Sequence, residues 1–167
     1  MDKLTQMWIE TTKTYYTNVA TGEVTKPVVE ERLFEMRRKM KGANYVRRSP
    51  EAFRKLFNTN TVPWKYYYDL IRTVYHNGRF AGCHWHHIMP RCAFKFGLVS
   101  DEGGMMNSPY NTCFVTIQEH CVLHYCLYLC ARDTKLKEAM NFAWSELAKD
   151  CGLTRQELKR IVYGKIR

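Results

Sequence analysis

Apolar positions recur along this chain with two different periods, and the expected elements follow from where each period holds. Thr14-Tyr15-Tyr16-Thr17 and Glu23-Val24-Thr25 have strand propensity on either side of turn-forming residues from Asn18 to Gly22. This predicts a small β hairpin between Trp8 and Pro27. From Val28 to Lys41, Val29, Leu33, Met36 and Met40 fall at three- and four-residue steps, one apolar stripe of a helix that Gly42 stops. Ser49-Pro50-Glu51 opens a second helix through Phe57, with Ser49 as N-cap and Pro50 at the first helical position. Val62 to His76 is apolar nearly all round, which predicts a buried central helix closing at Asn77-Gly78.

The period then changes. Phe80 to Ile88 reads as a strand, and Met89 to Tyr110, with Gly97, Gly103-Gly104 and Pro109, reads as loop. Asn111 begins a second short strand, Thr112-Cys113-Phe114-Val115. Thr116-Ile117-Gln118-Glu119 is a capping-box sequence, so a helix is expected from Thr116 through Ala131. Leu136 to Leu147 makes another amphipathic helix. Gly152 then sits at a turn, and Thr154 caps a last helix. The expected fold class is α+β, mainly helical.

Charge narrows the partners. The 167 residues include 26 Lys or Arg against 16 acids, a formal net charge of +10, which suits a polyanion and above all nucleic acid. Between Lys26 and Lys55 ten bases face four acids, with Arg37, Arg38 and Lys41 on the predicted helix and Arg47-Arg48 in a predicted loop. These five, with Arg155, Lys159 and Arg160 of the last helix, are the candidate nucleic-acid contacts. No apolar run approaches the roughly 20 residues of a membrane-spanning helix. Met1 to Gln6 lacks the basic start and apolar stretch of a secretory signal. The seven cysteines are odd in number and contain no CxxC pair, so a reduced, intracellular protein is expected, with Cys113, Cys121, Cys126 and Cys130 packed as small hydrophobes.

Histidine supplies the chemistry. Five of the six histidines lie between His84 and His124, in two groups. On a strand, His86 and His87 point to opposite faces while His84 and His86 share one. On a helix, His120 and His124 occupy neighbouring turns of one face, a spacing that suits one metal ion.

In order along the chain, His86-His87-Ile88-Met89-Pro90-Arg91, Gly103-Gly104, Asn111, Glu119-His120 and His124 resemble the HNH endonuclease motif, a ββα-metal finger. The closest likeness is to the free-standing HNH homing endonucleases of phages, in which a Tyr-rich helix precedes the motif, as Tyr66 to Ile71 does here. The resemblance covers residues 62–131. One departure is His84, where many phage relatives carry Glu. The tail from Leu147 resembles the small helix-turn-helix repeats appended to many homing endonucleases.

The resemblance implies three segments: a basic DNA-contacting region with the hairpin over 1–61, the nuclease core over 62–131, and C-terminal helices over 132–167. It implies His86, His120 and His124 as ligands of one divalent ion, His87 as general base and Asn111 as a ligand or the residue that fixes the loop. Arg91 would neutralise a neighbouring phosphate. Mg²⁺ or Mn²⁺ is the expected ion in use, although three imidazoles favour Zn²⁺ or Ni²⁺ by intrinsic affinity. The expected partner is double-stranded DNA, nicked or cut through, with the enzyme a monomer or homodimer, in the cytoplasm of a host cell if phage-encoded. The alternative is a DNA-binding module in which the histidines hold a structural zinc and no bond is cut.

Overall fold

The computed structural model describes residues 44–164. The expected N-terminal hairpin, the helix over Val28 to Lys41 and the candidate contacts Arg37, Arg38 and Lys41 lie outside the described residues.

The first described element is a short helical turn, α1 (Tyr45–Arg48), whose N-cap Asn44 accepts from the amide of Arg47. Arg47 and Arg48 are therefore helical rather than in the loop expected for them, because burial of Tyr45 and Val46 fixes the turn. In α2 (Pro50–Leu56), Pro50 occupies the first turn as expected, but Ser49 makes no side-chain cap bond. The fixed φ of proline supplies the start instead.

α3 (Val62–Val74) buries Trp64, Tyr67, Ile71 and Val74 but exposes Lys65, Asp69, Arg72 and Thr73. It is one-sided, and the expectation of a central helix buried all round falls instead on α5 (Ile117–Cys130). That helix buries Cys121, Val122, Leu123, Tyr125, Cys126, Leu127 and Cys130, and packs against helices and strands on several sides. Its two histidines are thus polar groups set into an apolar element.

Two four-residue strands, β1 (His84–His87) and β2 (Thr112–Val115), pair antiparallel, with His86 opposite Cys113 and His87 opposite Thr112. β1 is shorter than the strand expected over Phe80 to Ile88, because the chain turns at Gly82, where φ is +74°. The stretch expected as loop contains a short helix, α4 (Arg91–Lys95), and 3₁₀ turns over Glu102–Asn107. Ala93 and Phe94 of α4 are buried, so its first turn is anchored in the core although it carries little helical sequence signal.

β2 runs into α5 through Thr116. The threonine hydroxyl accepts from the Glu119 amide at 3.1 Å, and the Glu119 carboxylate accepts from the Thr116 amide at 2.8 Å, the expected reciprocal cap. α6 (Thr134–Cys151) is longer at both ends than the expected helix, since Asp133 caps its start and Gly152, at φ +71°, ends it. α7 (Arg155–Tyr163) begins at Thr154 with a second capping box and buries Leu158 and Val162.

The described residues share one core that reaches from Tyr45 to Val162 and takes in Cys113, Cys121, Cys126 and Cys130 as packed thiols. Within it a row of rings, Phe53, Trp64 and Tyr67, with centroids 5.7 and 5.4 Å apart, leads to His86 at 6.1 Å. Among the described residues no helix is long and apolar enough to cross a membrane.

Candidate metal centre

Pleating of β1 turns His84 and His86 toward α5 and leaves Trp85 and His87 on the other face. On α5 the four-residue spacing sets His120 and His124 side by side, with ring centroids 4.7 Å apart. His86, fully buried, lies 5.3 Å from the first ring and 5.2 Å from the second. One nitrogen from each of these three imidazoles lies within 4.8 Å of the others. The Nε2 atoms of His120 and His124 are 3.0 Å apart. Metal–nitrogen bonds of about 2.0–2.1 Å in a tetrahedral arrangement would set such atoms about 3.3 Å apart.

The donor chemistry fits a cation. The hydroxyl of Tyr67 donates to the carbonyl of Ile88 at 2.6 Å, so its contact of 3.2 Å with His86 Nε2 is an N–H of the imidazole donating to the phenol oxygen. The lone pair of His86 is then on Nδ1, which is buried and has no hydrogen-bond partner. An unpartnered buried acceptor costs about 1–3 kcal/mol, and a divalent ion is the ligand that would use it.

Burial also keeps these rings neutral, the state that carries the lone pair. It holds His86 well below the usual imidazole range, with further contributions from positive charge on His124, His120 and His87. His120 is lowered to about 4 by burial and then by His84 and His87, and His124 to about 3 by burial and then by His120 and His87. A charge on His87 is thus felt at all three rings, although its side chain leaves the opposite face of the strand.

The remaining predicted residues divide clearly. His87 Nε2 lies 2.9 Å from Asn107 Oδ1, and the exposed ring of Trp85 lies 5.6 Å from the His87 ring. Asn111 is fully buried and acts on the backbone: its Oδ1 accepts from the Met89 amide at 2.6 Å, and its Nδ2 donates to the carbonyls of Met89 at 3.1 Å and Met106 at 2.9 Å. Both ends of the amide are committed to fixing the loop after His87. Arg91 is exposed at the start of α4. Arg48 stacks its guanidinium 4.0 Å over Tyr110, and the Tyr45 amide donates to the Tyr110 carbonyl at 2.8 Å, so α1 sits beside the Asn111 loop. Arg155, Lys159 and Arg160 are exposed on α7 and contribute nothing to the imidazole cluster.

Four participants carried no usable signal in the sequence. Tyr67 reads as one packing tyrosine among several, Met140 as part of an apolar stripe, Asn107 as loop and Trp85 as a strand aromatic. His84 was ambiguous by pleating alone; its Nδ1 lies 3.1 Å from Nδ1 of His120. Comparison of the chain with protein-family models, curated proteins and solved structures gives no match.

Proposed function

We propose that the chain is a metal-dependent DNA endonuclease of the HNH type that hydrolyses phosphodiester bonds. The β1–β2–α5 unit is its ββα-metal finger, His86, His120 and His124 hold one divalent ion, and His87 is the general base. The observation that carries this reading is the approach of three neutral imidazoles from β1 and α5 to within 4.8 Å, with a further imidazole on the adjoining strand position. Structural zinc sites use four protein ligands, whereas the three gathered here among the described residues leave a coordination position open to substrate, which favours catalysis over a purely structural ion.

A bound divalent ion supplies Lewis acidity, stabilising the extra charge on the attacked phosphate and on the leaving oxygen. The chain supplies the rest. An imidazole has a proton affinity suited to taking a proton from water near neutral pH. With Asn107 Oδ1 accepting from Nε2–H, the lone pair of His87 is on Nδ1. Asn111 keeps the loop after His87 in place by its three bonds to backbone, a positioning role and not a ligand's. Arg91 and the Arg47–Arg48 turn offer charge to neighbouring phosphates, and Arg155, Lys159 and Arg160 offer a second basic face to double-stranded DNA. A donor set of imidazoles alone suits Zn²⁺ or Ni²⁺ better than Mg²⁺ or Mn²⁺, whose preferred ligands are oxygens.

The test is cleavage of supercoiled plasmid with each of these four ions, comparing wild type with His87→Ala. Loss of a general base lowers the rate about 10²–10⁴-fold, and the variant should still take up one equivalent of metal and bind DNA. Equal behaviour of the two proteins would instead indicate a DNA-binding module with a structural ion.

A further inference from the structure

Each of the three proposed ligands has a second ring nitrogen, and each of those nitrogens meets a partner that is not a carboxylate. His86 Nε2 lies 3.2 Å from the hydroxyl of Tyr67, whose proton is already engaged by Ile88. His124 Nδ1 lies 3.4 Å from the thioether sulfur of Met140, which is buried on α6. A thioether has lone pairs and no proton to give, so this contact is an N–H of His124 donating to sulfur, and the lone pair of His124 is on Nε2. His120 Nδ1 lies 3.1 Å from Nδ1 of His84, and its Nε2 faces the Nε2 of His124. For His120 to ligate through Nε2, its Nδ1 must carry the proton and donate a hydrogen bond to Nδ1 of His84.

We propose that Tyr67, Met140 and His84 are positioning residues of the metal centre, each accepting the N–H of one ligand imidazole and so fixing which nitrogen faces the ion. The inference rests on the ligand set proposed above and goes beyond it. The three acceptors come from different elements, α3, α6 and β1, so the centre is braced by the surrounding helices as well as by the strands. They also share one property: none bears a formal negative charge. A carboxylate in that position draws on the N–H and makes the imidazole a stronger donor; neutral acceptors do so less. A bound ion would therefore be held less tightly and left more electron-poor than in a centre backed by carboxylates.

The test is a Co²⁺ titration of the metal-free full-length protein, in competition with a chelator and followed by the visible absorption of the ion. Met140→Leu keeps the volume and apolarity of the side chain, so the fold is preserved while the acceptor is lost. This variant and His84→Ala should bind Co²⁺ on the order of 10-fold more weakly, with the absorption bands little changed because the ligands are the same. His84→Glu restores an acceptor with charge and should bind more tightly than wild type. Wild-type affinity in both Met140→Leu and His84→Ala would overturn the inference while leaving the metal centre intact. Loss in His84→Ala of the same bands that His120→Ala loses would make His84 a ligand and overturn its role here. A wild-type protein that takes up no Co²⁺ would overturn both this inference and the ligand set it rests on.

Discussion

His120 and His124 are half-buried bases whose neighbours are themselves imidazoles, and this gives the metal-free protein a defined response to acid. Their folded values, about 4 and about 3, lie below the ordinary 6.5, so as pH falls the unfolded chain takes up protons first. The contribution of these residues is whole above about 6.5 and is lost progressively toward the folded values. Thermal midpoints of the protein in chelator should therefore fall from pH 7.5 to pH 5 (about two and a half units). A His120→Ala, His124→Ala double variant should show a flatter profile over the same span; a wild-type profile as flat as the variant's would contradict the account. At this scale the sequence was informative where residue type and local spacing were enough. His86, His120 and His124 belong to a metal-binding type at strand and helix positions whose directions are known. Tyr67 and Met140 were not legible, because an aromatic or thioether on an apolar stripe looks the same whether it only packs or also accepts a hydrogen bond. The partner that gives His84 its proposed role lies 36 residues away, beyond the reach of any local pattern.

Among the elements, the join between β2 and α5 fixes where the helical ligands begin. Thr116 caps α5 through its side chain, and its carbonyl accepts from the His120 amide at 2.9 Å. Thr116→Ala should cost about 1 kcal/mol of stability, within the usual range for a lost N-cap. Because the first turn carries His120, the same change should also weaken metal binding. Thr154→Ala at the matching cap of α7 should cost a similar amount of stability and leave metal affinity unchanged. Urea unfolding together with the Co²⁺ titration separates the two, and equal metal affinity in both variants would show that the cap does not position His120. Both capping boxes were readable from sequence because their residues are adjacent and their geometry is local. The choice of central helix was not: α3 and α5 are both rich in apolar residues, and which one is enclosed depends on how the remaining elements pack. α4 was hidden for a related reason, since burial of Ala93 and Phe94 holds a short helix that propensity alone would not.

For the molecule as a whole, the candidate metal centre is a product of tertiary structure. Its proposed ligands come from a strand and a helix separated by the Asn111 loop. That loop is held by an amide clamp at Met89 and Met106 and by a Tyr75 hydroxyl donating to the Pro109 carbonyl at 3.0 Å. The shared core draws on residues before, within and after the histidine segment, so packing outside that segment also supports the site. The net charge of +10 gives the surface a general attraction for polyanions but does not by itself choose a site of chemistry. In the proposed reading that choice falls to a divalent ion, which His86, His120 and His124 would hold with one side open. X-ray absorption of the protein loaded with one equivalent of Zn²⁺ tests this most directly. The expected result is one shell of three imidazole nitrogens at about 2.0–2.1 Å, with no sulfur and no fourth imidazole. A sulfur shell at about 2.3 Å, or four imidazoles closing the ion off, would contradict it.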